Sequence, residues 1–262
     1  MRKMFTLMAV IALLLVPNAA LAQENGDVTV VHGVPDLDVD VWVNGEATLP
    51  GFQFGDVAGP LTLPAGDYAI EIYPAGTDPE GNDPALADTV TLPGGANASI
   101  VAHLDEAGVP TLSVFVNDTS AIDAGNGRVT ARHVAAAPAV DVLANDGAVF
   151  TGVSNPQEGV ADVPADTYNV KIVPAGATEP VVFEGDLPIA EGTNVIAYAI
   201  GSLEGGSFAV VTQSISGLGS APSGVPTGSG GLASGSPFFM FAALVAGAAA
   251  LLGGGFLVRR SN

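Results

Sequence analysis

Residues 28–45 read VTVVHGVPDLDVDVWVNG, and residues 129–146 of the same chain read VTARHVAAAPAVDVLAND, aligned without a gap. In the first of these stretches Val39-Asp40-Val41-Trp42-Val43 alternates apolar with polar or large side chains, the period-two pattern of a strand with one buried face. It runs directly into Asn44-Gly45, the dipeptide that favours a two-residue hairpin turn because both positions tolerate positive φ. A strand, a hairpin turn and an exact spacing met twice predict a β-structured unit present in two copies.

Working outward, the correspondence continues. LPAGDYAIEIYPAG at 63–76 matches VPADTYNVKIVPAG at 163–176. Ile100-Val101-Ala102-His103 aligns with Val195-Ile196-Ala197-Tyr198, and Leu112-Ser113-Val114 with Phe208-Ala209-Val210. The offset falls along the pair, which places extra loop in the first copy around Thr77–Asp83. A period near 100 residues is too long for a solenoid, whose units run about 20–50 residues, and indicates tandem domain duplication. Tyr68–Tyr73, Ala98–Leu104 and Thr111–Val116 read as further strands bounded by Gly/Pro turns. No helical stripe runs anywhere between Asp27 and Ile215. Six or seven short strands per unit predict an all-β chain of two tandem immunoglobulin-like β-sandwich domains, at 23–119 and 129–215 with a linker at 120–128.

The two blocks resemble the DUF4397 family. The opening is carried by Val31-His32-Gly33-Val34-Pro35 and Val39-Asp40-Val41-Trp42-Val43-Asn44-Gly45, the middle by Leu63-Pro64-Ala65-Gly66-Asp67-Tyr68 and Pro74-Ala75-Gly76. The second copy departs from the pattern at Asp166, which stands where the middle block has glycine. The resemblance implies exported, often repeated, sandwich-like domains and no catalytic residues.

The ends read differently. Arg2 and Lys3, the apolar run Leu7–Val16 and Ala20-Leu21-Ala22 form a secretory signal over 1–22, cleaved after Ala22. Phe238–Val258 is uncharged, long enough for a transmembrane helix, and is followed by Arg259-Arg260 in a cytoplasmic tail at 259–262. Residues 216–237, rich in Gly, Ser and Pro, form a stalk. These features predict a single-pass cell-membrane protein with an extracellular body. Val225-Pro226-Thr227-Gly228 only partly resembles a sortase signal, so wall attachment is the lesser alternative.

Of 262 residues, 27 are acidic and 7 basic, with no cysteine. Only Arg128, Arg132 and Lys171 lie between the signal and the tail, whereas all 27 acids do, so the body has a net charge of −24 (three positive, 27 negative). Disulfides, thiolate zinc sites and thiol catalysis are excluded. So few cations exclude nucleic acid as a partner, because phosphate neutralisation needs Lys and Arg. The partners expected are the membrane, through the C-terminal helix, and a cell-envelope polymer or another surface protein.

His32 and His133 occupy equivalent positions, in phase with the core-facing valines, and read as hydrogen-bonded packing histidines rather than metal ligands. Asp40 and Asp141 recur before a turn and are expected to bond backbone amides. Asp36, Asp38 and Asp40 at alternate positions would share one strand face. With Asp78, Glu80 and Asp83 of the longer loop, Asp36 and Asp38 are the weak calcium candidates, although the spacing excludes an EF-hand. No cofactor site and no catalytic residue is assigned: there is no G-x-S-x-G elbow, and no pair of carboxylates stands out for glycosidase chemistry. Asn97-Ala98-Ser99 and Asn117-Asp118-Thr119 fit the N-glycosylation triplet by pattern alone. The expectation is a non-enzymatic surface protein in a structural, adhesive or ligand-binding role. An exported hydrolase with a carboxylate site and a calcium-dependent adhesin are the alternatives.

Overall fold

The computed structural model describes residues 24–220. The expected signal, the transmembrane helix, the tail and all but the first five residues of the stalk lie outside them. Among the described residues every regular element is a strand, sixteen in all, eight in each copy. The first copy holds β1 (Asn25–His32), β2 (Val39–Val43), β3 (Glu46–Phe52), β4 (Val57–Pro64), β5 (Gly66–Pro74), β6 (Leu86–Leu92), β7 (Asn97–Leu104) and β8 (Pro110–Val116). The second holds β9 (Asn126–His133), β10 (Val140–Ala144), β11 (Gly147–Val153), β12 (Glu158–Pro164), β13 (Asp166–Pro174), β14 (Phe183–Ile189), β15 (Asn194–Ile200) and β16 (Ala209–Ile215).

Each copy is a sandwich of two four-stranded sheets. The first has the orders β4-β1-β7-β8 and β3-β2-β5-β6; the second repeats them as β12-β9-β15-β16 and β11-β10-β13-β14. Eight strands replace the expected six or seven. The extra ones include β3 and β4, whose Pro50-Gly51 and Gly59-Pro60 obscure the strand pattern. Both are edge strands, where proline removes no ladder bond that the sheet needs. The pairs β1–β7 and β9–β15 are parallel, and all other pairings are antiparallel.

The hairpin turns form as the dipeptides require. Asn44 and Gly45 have φ of 51° and 80°, and Asn145 and Asp146 have 49° and 65°. In each copy the asparagine side chain accepts a backbone N–H from the neighbouring strand, Ala69 at 2.9 Å and Asn169 at 3.0 Å.

The ladder corrects two alignments. Val28 faces Ala98 and Val129 faces Val195, while Val31 faces Val101 and Arg132 faces Tyr198. Val101 therefore corresponds to Tyr198, and His103 to Ile200 rather than to Tyr198. Leu112 likewise corresponds to Val210 rather than to Phe208. In both blocks the sequence alignment slipped by two residues, a shift that keeps every side chain on its own face and so leaves the hydrophobic pattern undisturbed.

Cores fill both sandwiches. In the first, Val28, Val41, Ile72, Val90 and Ile100 bring both sheets together. In the second, Val140, Ile172 and Ala199 form one cluster and Val129, Ile189 and Val195 another. A further cluster joins the copies: Val31 and Val101 pack against Val134, Ile196, Tyr198 and Ile200. The sheet containing β1 and β7 is thus covered on both faces, and the four sheets stack as four layers. The expected linker is short, since β9 begins at Asn126 and Ile122 is fully buried. Ile122 bridges to Gly219, so the first residues of the stalk are pinned to the body, with Leu218 N–H bonded to the Gly192 carbonyl.

Candidate functional site

The charged and polar side chains that recur in both copies hold loops. Asp40 Oδ1 accepts the Gly51 N–H at 2.7 Å and Oδ2 the Gly76 N–H at 2.8 Å. Asp141 does the same with Gly152 at 2.7 Å and Gly176 at 2.8 Å. One carboxylate therefore ties the bulged neighbouring strand and one turn to its own strand in each sandwich, bonding backbone amides as expected. His32 Nε2 lies 2.7 Å from the Leu37 carbonyl and His133 Nε2 2.9 Å from that of Pro138. A ring nitrogen facing a carbonyl must donate, so each histidine latches the loop that follows its strand. Burial lowers the pKa of His32, His103 and His133 below the ordinary value, against the opposing pull of their carbonyl partners.

The acidic candidates do not converge. Asp36 and Asp38 precede β2 rather than lying in it, and Asp36 sits in a turn at φ 59°. The shared strand face expected for Asp36, Asp38 and Asp40 therefore does not form. Asp38 Oδ2 accepts from Gln53 Nε2 at 3.4 Å. Asp78 Oδ1 accepts the Glu80 N–H at 3.0 Å, and its carbonyl accepts from Asn82 Nδ2 at 2.7 Å. That loop, with Asp83, is closed on itself. Among the described residues no three His, Asp or Glu side chains are gathered as a metal ion requires. The two glycosylation triplets are structural: Asn117 is buried and donates to Asn97 Oδ1 at 2.6 Å, and Ser99 is fully buried.

A polar network that sequence reasoning missed lies between the copies. Arg132 is 2% exposed. Its Nε donates to Glu158 Oε2 at 2.7 Å and its Nη1 to Tyr198 Oη at 3.0 Å. Tyr198 Oη in turn lies 2.8 Å from Ser99 Oγ and 2.9 Å from Gln213 Oε1, to one of which it donates. The guanidinium also covers the Phe115 ring at 4.4 Å, a cation–π contact with the first copy. Arg128 forms a bidentate pair with Asp162, at 2.7 and 3.0 Å, and reaches Asp118 at 2.9 Å. Asn155 Nδ2 donates to the Leu104 carbonyl of the first copy at 2.8 Å and to the Ala135 carbonyl of its own at 2.7 Å. One signal pointed here: two of the body's three cations stand four residues apart on one face of one strand.

Inside each sandwich the sheets leave a cavity, of 270 Å³ in the first copy and 290 Å³ in the second. Their walls are chiefly aliphatic and contain Tyr68 and Tyr168 at equivalent positions. Each hydroxyl donates to a turn carbonyl, Pro64 at 2.6 Å and Pro164 at 2.8 Å, which leaves the ring as a fixed wall.

Residues 26–143 match the family model described as a domain of unknown function, DUF4397. No curated protein matches the chain. The matched stretch covers the whole first sandwich and carries the repeated loop-holding aspartate, histidine and asparagine. Over residues 26–143 the chain is similar to the DUF4397 family.

Proposed function

We propose that this is an exported, membrane-anchored surface protein whose two sandwiches act as one rigid, non-catalytic module with a structural, adhesive or ligand-binding role. On this reading the second sandwich, Asn126–Ile215, is a second DUF4397-type domain within the immunoglobulin-like class of β-sandwiches. The observation that carries the proposal is the buried network around Arg132 and Tyr198, which joins the copies into a single body instead of leaving two beads on a string. The repeated histidines and aspartates support it as well, since they are bonded to loop backbone.

The signal and the C-terminal apolar segment supply export and anchoring, and the net charge keeps the body solvated and discourages non-specific association. External protease added to intact cells tests this placement. The expected result is release of a soluble body by cleavage within 221–237, with the mature chain beginning at Gln23 by mass. A body that becomes accessible only after lysis, or a chain that retains residues 1–22 in the cytoplasm, overturns it.

A further inference from the structure

The two cavities occupy the same place in two sandwiches whose walls have diverged. Val30 and Ile100 of the first copy correspond to the smaller Ala131 and Ala197 of the second, whereas Leu49 corresponds to the larger Phe150. Losses on one wall are offset on another, and the volumes stay at 270 and 290 Å³. Protein interiors are normally packed to the density of organic crystals, yet each sandwich keeps a partly open apolar pocket between its sheets, bordered in the first copy by exposed Glu46 and Thr48. Each cavity is about twice the ~150 Å³ of an apolar cavity that takes up benzene. Phe150 packs directly over Gly159, where a Cβ would overlap its ring, so this wall is seated against backbone.

The chemistry of the walls selects the occupant. They are chiefly aliphatic, which suits a hydrocarbon chain. Arg132 borders the second cavity only from the far face of its sheet, because its guanidinium is engaged by Glu158 and Tyr198. The charged side chains left to face an occupant's polar end are acids, Glu46 in the first copy and Asp186 in the second, on a body that is itself strongly acidic. We propose that each sandwich binds the aliphatic chain of an amphiphile whose polar end is uncharged or positive, one chain per sandwich.

All sixteen strands and every core cluster lie within 24–220, so that fragment carries both cavities and serves as the test protein. The probe is N-phenyl-1-naphthylamine, an uncharged fluorophore, displaced by 1-decanol or by decanoate. Two saturable sites per chain are expected, with decanol displacing the probe at least tenfold more effectively than decanoate. Leu49→Phe narrows the first cavity and is made together with Ala58→Gly, because the equivalent Phe150 ring occupies the place a Cβ at Gly159 would take. Ala131→Val with Ala197→Ile narrows the second. Each set imports residues of the other copy, so each is expected to keep Tm while weakening one of the two sites. Absence of saturable binding, or undiminished binding in a chain with both cavities narrowed, overturns the proposal. Equal displacement by decanoate overturns the assignment of the polar end. If a narrowed variant does not fold, the unaltered fragment decides: decanol must raise its Tm in a saturable way, because a ligand of the folded state stabilises it by mass action, and no rise refutes the site. The result is independent of the protease experiment, since failure of either leaves the other reading standing.

Discussion

The outward faces of the two central sheets began as one face and are now opposites. On β1 the outward positions across from β4 are Asp27 against Thr62 and Val31 against Val57. On β9 the equivalent positions against β12 are Arg128 facing Asp162 and Arg132 facing Glu158. Val101 of β7 likewise became Tyr198 of β15. The loop-holding residues, by contrast, did not change: Asp40 and Asp141, His32 and His133, Asn44 and Asn145 keep the same partners. Folding each sandwich required the shared residues, while joining the sandwiches required the divergent ones. Two identical faces would fit a second molecule as well as each other. A face presenting Val31, Val101, Ser99 and Phe115 against one bearing arginine, tyrosine and glutamate specifies which surface meets which.

The strongest challenge to this contrast is Arg132→Ala. It leaves Tyr198 Oη without its donor and strips Phe115 of its cation, while Glu158, about one-third exposed, can be hydrated; loss of the charged hydrogen bond and the packing should cost about 2–3 kcal/mol. Urea denaturation is expected to show that loss and to separate one unfolding transition into two. Retention of a single transition with under about 1 kcal/mol lost would mean that apolar packing alone joins the copies. Asp40→Ala and Asp141→Ala should each cost about 2 kcal/mol, because each removes two hydrogen bonds to a charged acceptor. The two values should agree, and a twofold difference would break the equivalence of the copies.

Much of this was legible beforehand. The duplication, the Asn44-Gly45 hairpin, the strands that became β2, β5, β7 and β8, and the roles of Asp40 and His32 follow from residue pattern and local turn chemistry. The proline-bearing edges β3 and β4 were not, because an edge strand has no second neighbour to impose alternation or exclude proline. The slips of two in the third and fourth blocks were invisible, since they preserve the face of every side chain. The calcium reading rested on Asp36 and Asp38 being in a strand, whereas the Pro35-containing loop extends to Asp38. The pairing of Arg132 with a tyrosine 66 residues away could not be read from local spacing at all.

Smaller effects sharpen the comparison. Tyr198→Phe removes a hydroxyl from the middle of the buried network and should cost about 1–2 kcal/mol. Tyr168→Phe, whose hydroxyl is exposed, should cost clearly less, and equal losses by chemical denaturation would argue against a special interface. Acidity gives the gentlest test. The three histidines have lowered pKa values in the folded protein, so the unfolded chain binds more protons between the folded values and about 6.5. Stability should hold above pH 6.5 and decline as pH falls below it, with a limiting slope of about 1.4 kcal/mol per pH unit for each histidine. Replacing His103 with Gln should flatten the decline, and an unchanged profile would exclude it as a contributor.

The parallel pairing of β1 with β7 also sets an order of events. β1 is the first strand made, yet one of its two neighbours is β7, some 70 residues later, so the chain has a high contact order and folding is expected to be slow. The first sandwich is complete once β8 exists, but Val31 and Val101 stay uncovered until β15 supplies Ile196 and Tyr198. For the interval in which some 84 further residues are being made, the half-finished molecule presents Val31, Val101 and Phe115 uncovered, a strip suited to joining its own kind. A chain interrupted after Val116 is therefore expected to associate with itself, a hazard that the completed second copy removes.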